Sequence, residues 1–288
     1  MSGPSLGGSA LGASTPAWRG GQVAAGTLCV LAPNPGPMTL DGTNTWLLSR
    51  PGVGSVVIDP GPEHPEHLRS VLQAALDADA PVREVLLTHG HIDHSEGAAS
   101  LRELAGGAPV RALDPAHRLG SEGLADGDVV ELGDLVLRVV GTPGHTSDSL
   151  SFLLEDPGGR AGLLTGDTVL GRGTTVVAHP DGRLGPYLES LVRLLHLVES
   201  TEGRGHHPVR VLPGHGPVLD DAVTTLRAYL AHRRRRLEQV QAAVAAGDTS
   251  AAAVVARVYA DVDRVLWPAA ELSVLAQLEY LRLSERDG

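Results

Sequence analysis

The chain has 288 residues, of which 42% are hydrophobic and 3% aromatic, a size that fits one large domain with a smaller second one. The net charge of −11 gives no overall attraction to nucleic acids or anionic membranes, so a polyanionic ligand would need a local basic patch. The single cysteine, Cys29, excludes an intrachain disulfide, and the apolar run TLCVLAP around it predicts a buried side chain.

The N-terminal segment predicts a flexible tail over residues 1–20. It contains neither a cationic stretch nor a continuous apolar run, so it does not resemble a secretory signal. No later apolar run reaches the length of about 20 residues that crossing a membrane requires. We therefore expect a cytoplasmic protein that does not span a membrane.

From residue 27 onward the sequence predicts short strands separated by turn residues. The first three are TLCVLA, NTWLL and SVVID. Apolar residues at helical spacing predict a helix over residues 66–78, and REVLLTH predicts a strand directly after it. Further on, GAASLRELAG predicts a short helix. More strands are predicted in PVRAL, DVVEL, LVLRVV, SLSFLL and AGLLTGD, with a tight turn at ELGDL.

The second half of the chain is richer in helices. GPYLESLVRLLHLVES predicts a helix and PVRVLPGHG a last strand, a pattern that indicates layers of sheet covered by helices. Three helical stretches follow from Ala222, with breaks at Gly247 and at Leu266 to Pro268. The predicted domains are a main domain over residues 21–221 and a small helical domain over residues 222–288.

A cluster of metal-ligand residue types follows the strand predicted in REVLLTH. His89, His91, Asp93 and His94 lie within six positions, on a loop that this strand would anchor. One tetrahedral ion rarely takes four ligands from a single loop, so the cluster favours two neighbouring ions.

Three further candidate ligands follow other predicted strands. His145 lies in GTPGHTSDS, Asp167 in LTGDTVLG and His215 in LPGHGP, each on a glycine-flanked loop. The expected division is His89, His91 and His145 on one ion, Asp93, His94 and His215 on the other, with Asp167 bridging. The histidines without a partner motif are predicted to lie on the surface: His64, His67, His206 and His207.

Five motifs, in this order, resemble the metallo-β-lactamase fold superfamily: VVIDPG, THGHIDH, PGHT, GDTVLG and LPGHG. The resemblance covers about residues 27–220 and implies an α/β fold, an αββα sandwich of two mixed sheets flanked by helices. NPGPMTLDGTNTWLL and GDTVLGRGTTVV resemble the branch of the lactamase-β-like (mitochondrial-type) endoribonuclease and its bacterial relatives. That branch implies a small winged-helix-like C-terminal domain, which agrees with the predicted helices.

The expected chemistry is hydrolysis. Two divalent ions about 3.5–4 Å apart share a bridging water and lower its pKa, so that hydroxide becomes the nucleophile. Histidine and carboxylate ligands suit a pair of Zn²⁺ ions, with manganese or iron as alternatives. The resemblance gives Asp93 a second, catalytic role in orienting the water or accepting its proton, although a ligating carboxylate is not a free base. Asp59 is expected either to orient a ligand histidine or to cap a turn.

The sequence favours one substrate and leaves a second open. The branch resemblance and the cationic run Arg233 to Arg236 favour an endoribonuclease-like phosphodiesterase on single-stranded RNA. Four consecutive arginines occupy all sides of a helix, however, and cannot all face one groove. The alternative is a thioesterase of the glyoxalase II or acyl-carrier type. The chain has no lysine for the glutathione carboxylates of a standard glyoxalase II, so an arginine would have to substitute.

Two other functions fit less well. Class B β-lactamases often place a cysteine in the second metal site, whereas Asp167 stands in the corresponding loop here. A nucleic-acid-binding module on a degenerate hydrolase would have lost ligands, whereas all seven positions are filled. The enzyme interpretation is therefore preferred.

Two loops are expected near the mouth of the site. The resemblance places Thr39, Gly42, Thr43 and Asn44 at its border, and residues 171–175 along the cleft, although turns alone would also explain the first loop. Candidate substrate contacts are Arg172, Arg233 and Arg234. The expected partners are single-stranded RNA or a small thioester, with no membrane, and the sequence leaves open whether the protein is a monomer or a homodimer.

Overall fold

A computed structural model describes residues 17–120, 122–205 and 207–284. Residues 1–16 of the predicted tail and His206 therefore lie outside the described residues. The described part consists of two β-sheets packed face to face, with helices against both outer faces. This arrangement confirms the predicted αββα sandwich.

The first sheet contains six strands in the described residues: β1 (Gly21–Ala24), β2 (Thr27–Leu31), β3 (Asn44–Arg50), β4 (Gly54–Ile58), β5 (Val82–Leu86) and β6 (Val110–Arg111). The strands lie in the order β1-β2-β3-β4-β5-β6. Neighbours from β1 to β4 are antiparallel, whereas β4, β5 and β6 run parallel. β1 forms a hairpin with β2 that the sequence did not predict.

The second sheet contains five strands in the described residues: β7 (Val129–Leu132), β8 (Leu135–Gly141), β9 (Leu150–Glu155), β10 (Ala161–Gly166) and β11 (Arg210–Pro213). Their order is β11-β10-β9-β8-β7, and only β10 and β11 are parallel. Leu132 pairs with Leu135 across a two-residue loop in which Gly133 has a φ of 63°. The tight turn predicted at ELGDL is confirmed, and glycine supplies the positive φ it needs.

Side chains from the facing surfaces of the two sheets form the central core. Trp46 and Ile58 of the first sheet pack in one cluster with Leu137, Phe152 and Leu164 of the second. Alternate residues of a strand point to opposite faces, so each sheet also buries a second apolar surface against helices. Leucine and valine dominate these layers because the chain has a single phenylalanine.

Seven α-helices surround the sheets in the described residues: α1 (Pro65–Asp77), α2 (Ile92–Ser95), α3 (Ala98–Leu104), α4 (Leu184–Gly203), α5 (Ala222–Ala245), α6 (Ala251–Val258) and α7 (Trp267–Ser284). Short 3₁₀ turns cover Pro115–His117 and Arg264–Leu266. α1 and α3 pack on the first sheet, and α4 and α5 on the second. The predicted helices are all present.

The C-terminal helices share a small core and also contact the main domain. α5 begins after Asp221, whose carboxylate accepts a hydrogen bond from the Thr224 N–H. Tyr229, in the first half of α5, packs on the second sheet, while Val240, near the C-terminal end of the same helix, packs with α6 and α7. α5 therefore belongs to both cores, and the predicted boundary between residues 221 and 222 stays a prediction.

One histidine differs from its predicted surface position. His67 is 4% exposed, and its Nε2 lies 2.9 Å from Thr45 Oγ1 in the first sheet. Burial, the largest cause, lowers the pKa of His67 to about 4, so the ring stays neutral and packs as a polar core residue. Cys29 is buried as predicted, and burial raises the pKa of its thiol to about 12.

Across the described ranges, no helix is both long enough and apolar enough to cross a membrane. α5, with 24 residues, carries the arginines Arg233 to Arg236. The cellular compartment stays a prediction.

Removing the one phenylalanine tests the packing between the sheets. Phe152→Ala should lower the free energy of unfolding by about 3–5 kcal/mol, because it opens a cavity in the central core. Urea unfolding followed by circular dichroism measures this change. Val129→Ala, at a side chain that is 45% exposed, is the matched control and should change it by less than about 0.5 kcal/mol. Equal effects of the two variants would contradict the assigned core.

Candidate metal centre and the cavity beside it

The seven candidate ligands meet at one edge of the sandwich, on loops that follow the carboxyl ends of strands. The loop after β5 supplies four of them, and the loops after β8, β10 and β11 supply one each: His89, His91, Asp93 and His94, then His145, Asp167 and His215. Backbone hydrogen bonds join these loops, since Leu150 N donates to Thr88 O and Gly214 N donates to Gly166 O. The structure therefore brings all seven predicted residues together.

Three histidines form the first group. His91 Nδ1 lies 3.0 Å from His89 Nε2 and 3.1 Å from His145 Nε2. His89 and His145 are buried, whereas His91 is exposed. The group is therefore anchored in the protein and reachable from solvent on the side of His91.

Asp93, His94 and His215 form the second group. His215 Nε2 lies 3.2 Å from His94 Nε2 and 3.2 Å from Asp93 Oδ2. Asp167 stands between the two groups, because its Oδ1 is 3.4 Å from both His94 Nε2 and His215 Nε2, while its Oδ2 is 3.7 Å from His145 Nε2. Asp167 therefore has one carboxylate oxygen near each group, which is the geometry expected of a bridging ligand.

Hydrogen bonds at Nδ1 orient the histidines. His145 Nδ1 donates to the Val176 carbonyl at 2.8 Å, and His215 Nδ1 donates to the Gly42 carbonyl at 3.2 Å. A carbonyl oxygen only accepts, so Nδ1 carries a proton, and a metal ion would bind at the lone pair that Nε2 presents once it is deprotonated. Each of these Nε2 atoms is the one that faces the cluster.

Asp59 orients two more histidines, His94 directly and His89 through Thr88. Its Oδ1 accepts from Thr88 N at 2.8 Å, and its Oδ2 accepts from Thr88 Oγ1 at 2.7 Å and from His94 Nδ1 at 2.8 Å. The Thr88 hydroxyl in turn accepts from His89 Nδ1 at 2.9 Å. Asp59 has a φ of 53°, which is uncommon outside glycine and is held here by these buried contacts. Of its two expected roles, the contacts match the orientation of a ligand histidine.

Burial and charge oppose each other in this cluster. Burial, together with neighbouring histidines, holds the pKa of His89 well below its usual value. Burial also disfavours the charged form of His94, but the carboxylates of Asp167 and Asp59 raise its pKa well above the usual value. Burial would raise the pKa of Asp167, whereas the charges of His215 and His94 hold it well below its usual range. The cluster thus places an ionised carboxylate among buried imidazoles.

The donor set fits divalent metal ions. Ligand nitrogens of a tetrahedral zinc site with bonds of about 2.0–2.1 Å lie roughly 3.3 Å apart, close to the separations within the first group. Asp167 Oδ1 is buried and has no hydrogen-bond partner among the described residues. A methyl group at Gly214 would lie 2.6 Å from that oxygen and 2.8 Å from His94 Cε1, so only glycine leaves this space open. The cluster can therefore hold metal ions.

Thr43 connects the predicted mouth to the cluster through a side-chain hydrogen bond. Its Oγ1 donates to Asp93 Oδ2 at 3.1 Å. Asn34 fixes Thr43, since Asn34 Oδ1 accepts from Thr43 N at 2.9 Å. Asn34 was not predicted as a site residue, because it contacts Thr43 only after the loop has folded back. Thr39 donates to the Asn34 carbonyl and thus braces the same loop.

Asn44 does not border the mouth as the resemblance implied. It is fully buried, and its Nδ2 donates to the carbonyls of Pro213 and Gly216, both at 2.9 Å. Its Oδ1 accepts from Trp18 Nε1 at 2.8 Å. Asn44 therefore ties the loop that carries His215 to the first sheet.

A cavity of about 290 Å³ extends from the cluster to the C-terminal helices, and we call it the interdomain cavity. His145 and Asp167 lie at the cluster side. Residues that line it elsewhere include Met38, Leu40, Leu170, Arg172, Thr175, His232, Arg233, Arg236, Tyr259, Val262, Leu266, Ala270 and Ser273. Apart from Arg233, the contributions of α5, α7 and the segment between α6 and α7 were not predicted, because no local motif marks them.

The predicted arginines have different environments. Arg172 lines the interdomain cavity and forms an ion pair with Asp41. Arg233 is buried, donates to the Thr175 carbonyl and stacks on Tyr187 with its Cζ 4.9 Å from the ring centre. Arg234 is exposed and is not among the lining residues.

Comparison with known families identifies the group to which the protein belongs. A model of the metallo-beta-lactamase superfamily matches residues 38–215. The chain belongs to the metallo-β-lactamase superfamily. A model of the beta-lactamase associated winged helix domain matches residues 250–286 and confirms the predicted winged-helix-like C-terminal region. Membership of this superfamily agrees with the predicted enzyme class.

Two curated fungal relatives in this superfamily are similar to the chain. Thioesterase pkgB of Emericella nidulans is 36% identical, over 74% of this chain and 57% of its own length. Atrochrysone carboxyl ACP thioesterase dmxR1 of a Cryptosporiopsis species is 31% identical, over 76% of this chain and 63% of its own length. The chain thus spans less than two thirds of the length of both relatives.

Solved structures of the superfamily agree with the fold. The crystal structure of a beta-lactamase domain protein from Burkholderia ambifaria has a TM-score of 0.73 and 25% sequence identity, and it covers 95% of this chain and 91% of that chain. The likeness therefore extends beyond the main metallo-β-lactamase domain.

The hydrogen bonds of Asp59 can be tested through metal affinity. Asp59→Asn removes the charge that holds His94 Nδ1, so zinc affinity should fall by about 10–100-fold. Competition with a chromophoric chelator measures this affinity. Asp220→Asn, at a side chain that is 89% exposed, is the matched control and should leave it unchanged. Wild-type affinity in Asp59→Asn would show that Asp59 does not support a metal ligand.

Proposed function

We propose that this hydrolase is a metal-dependent thioesterase that cleaves a small acyl thioester. Water supplies the oxygen of the new C–O bond, the C–S bond breaks, and the products are a carboxylic acid and a thiol. The observation that carries the proposal is the interdomain cavity, which begins at His145 and Asp167 and continues between apolar side chains. A ligand group that reacts at the cluster would extend into this space.

The named relatives support the same function. Both pkgB and dmxR1 are thioesterases by name, and the match to each covers about three quarters of this chain. They favour the thioesterase alternative over the endoribonuclease hypothesis that the sequence suggested first. The seven ligand-type residues are all histidine or aspartate, which does not support a cysteine-containing lactamase site.

The dimensions of the cavity suit an acyl group better than a polynucleotide. Its volume of about 290 Å³ lies near the lower end of the range of roughly 300–1,000 Å³ that is typical of small-molecule pockets. Leu170, Val262 and Leu266 contribute apolar surface to it. Single-stranded nucleic acids usually bind in open cationic grooves with stacked aromatic side chains, which this cavity does not resemble.

The arginine run gives limited support to RNA binding. Arg233 is buried against Tyr187, and Arg236 is half-buried with its Cζ 4.3 Å from the centre of the Tyr259 ring. Arg234 and Arg235 remain exposed. A pair of exposed arginines on one helix is an ordinary solvated surface in a chain of net charge −11.

We further infer that the cluster holds two divalent ions, with zinc as the favoured metal because the donors are imidazole and carboxylate. The residues that would hold them are His89, His91 and His145 for one, Asp93, His94 and His215 for the other, and Asp167 between them. Bound metals of this kind polarise a carbonyl oxygen and lower the pKa of water.

The chain itself would position the reacting groups. Asp93 is held by Thr43 and lies beside His215, so its carboxylate is fixed at the border of the cluster, where it can orient a water molecule. The Nδ1 hydrogen bonds keep the Nε2 lone pairs directed at the cluster. Leu170 and the helical residues across the cavity would keep bulk water away from the acyl group.

A substrate panel tests the function. The zinc-loaded protein should hydrolyse an acyl N-acetylcysteamine thioester, and it should cleave neither single-stranded RNA nor a chromogenic cephalosporin. Thiol release, gel analysis of RNA and absorbance of the cephalosporin are the three measurements. RNA cleavage without thioester hydrolysis would overturn the proposal.

Metal removal and ligand substitution form a second test. Treatment with a chelator, or the change Asp167→Asn, should lower thioester hydrolysis by at least about 100-fold, because both disrupt the site shared by the two groups. Elemental analysis should find about two metal ions in each wild-type chain. Asp220→Asn serves as the control with unchanged activity, and full activity of the metal-free protein would contradict the dinuclear site.

A further inference from the structure

We propose that the interdomain cavity selects acyl groups that end in a carboxylate, and that Arg236 of α5 binds this carboxylate. The inference rests on the proposed thioesterase function and adds the class of acyl group. The thioester carbonyl would lie at the cluster beside His145 and Asp167, with the acyl chain directed toward α5. A glutaryl or adipyl group is within the size limit set by the cavity volume.

The cavity combines apolar walls with positive charges that lack counter-charges. Arg233 and Arg236 both line it, and neither forms an ion pair with any described residue. Arg172, the third lining arginine, is already paired with Asp41. The one carboxylate in the lining, Asp167, belongs to the histidine cluster. A partly buried cation is costly without an anion, so an anionic ligand would complete this environment.

Arg236 is better placed than Arg233 to bind a ligand. Arg233 already donates to the Thr175 carbonyl and stacks on Tyr187. Arg236 uses Nη1 for Gln239 and the Val258 carbonyl, which leaves its Nε and Nη2 without a hydrogen-bond partner among the described residues. Stacking on Tyr259 at 4.3 Å holds the guanidinium plane in place, so its remaining donors are pre-organised.

The spacing along α5 separates the two arginines by distance from the cluster. Thr175, whose carbonyl Arg233 contacts, also donates through Oγ1 to the Asp167 carbonyl, so Arg233 is close to the cluster. Arg236 is three residues further on, about 4.5 Å along the helix axis. A carboxylate at the far end of a short acyl chain would therefore meet Arg236 rather than the metal ligands.

His232 adds a second unsatisfied polar group to the same end of the cavity. Its Nδ1 is buried and has no hydrogen-bond partner among the described residues. Arg233 Nε is also buried and without such a partner. Burial, followed by the charges of Arg233 and Arg236, lowers the pKa of His232 to about 4. A neutral imidazole can form a hydrogen bond with an oxygen-rich ligand group, and it adds no positive charge beside the two arginines.

The acyl carboxylate is favoured over a phosphate of the thiol carrier. A nucleotide or phosphopantetheine carrier is larger than a cavity of about 290 Å³ and would have to remain outside it. The acyl group, attached at the carbonyl that reacts at the cluster, is the part that can enter. The bidentate geometry of a guanidinium also matches a carboxylate.

Paired thioesters test the selection. Glutaryl-N-acetylcysteamine and its terminal carboxamide analogue have the same size and differ in one charge. Wild-type kcat/KM should be about 10–100-fold higher for the carboxylate, as expected for a hydrogen-bonded charge pair. Arg236→Met, which keeps an extended side chain over Tyr259, should lose that factor for the carboxylate and change the carboxamide by less than about twofold.

Control variants separate binding from folding. Arg235→Met removes an exposed arginine from the same helix and should leave both substrates unchanged. Arg236→Lys keeps the charge and should restore part of the preference. Thermal unfolding should give all three variants and the wild type similar midpoints. An equal loss on both substrates in Arg236→Met would overturn the proposal, because it would indicate a structural role.

Two further measurements distinguish failure of this inference from failure of the thioesterase function. The carboxamide thioester carried on phosphopantetheine, compared with the same thioester on N-acetylcysteamine, tests the carrier phosphate. A preference for the phosphopantetheine thioester that Arg236→Met abolishes would overturn the acyl-carboxylate assignment. Calorimetric titration with glutarate needs no turnover. Glutarate binding that is lost in Arg236→Met would support the anion site even if no thioester is hydrolysed. If the wild type does not bind glutarate and hydrolyses the two thioesters at equal rates, the anion site is overturned.

Discussion

The buried carboxylate of Asp59 connects the first sheet to the candidate metal centre. It accepts hydrogen bonds from the backbone and hydroxyl of Thr88 and from Nδ1 of His94, and Thr88 passes this support on to His89. Both ligand groups therefore depend on one side chain at the end of β4. A buried carboxylate is stable here because its oxygens are occupied by strong donors. The unusual backbone conformation of Asp59 is consistent with a position set by these contacts.

The sandwich supplies the rest of the geometry. Parallel pairs in each sheet, β4 with β5 and β10 with β11, place the carboxyl ends of their strands at the same edge. The hydrogen bond from Leu150 N to Thr88 O joins the two sheets at that edge. Asn44 then ties the first sheet to the loop of His215. Ligands that are 121 residues apart, such as His94 and His215, meet because the core fixes the strands that carry their loops.

The C-terminal helices change how the arginine run is understood. As a sequence, four arginines in an acidic chain favour contact with nucleic acid. In the structure, the helix turns Arg233 and Arg236 toward the interdomain cavity and leaves Arg234 and Arg235 on the surface. This separation follows from helical geometry, in which residues three apart share a face and adjacent residues do not. The C-terminal helices thereby contribute one wall of the interdomain cavity. The thioesterase alternative gains support over the endoribonuclease hypothesis.

The sequence by itself determined the fold class, the helices and most strands, and the seven residues of the cluster. The elements and ligands are local features, because apolar periodicity marks each element and each ligand lies within a few residues of a strand end. The fold class followed from the resemblance of the five motifs to the metallo-β-lactamase superfamily. The sequence did not determine the burial of His67 and Asn44, the hairpin partner β1, or the cavity walls contributed by His232, Arg236 and Tyr259. These depend on contacts between distant segments, so no short motif records them. Only the tertiary structure decided which arginines face the interdomain cavity, because the packing of α5 against the cores on both sides of it sets how that helix is turned.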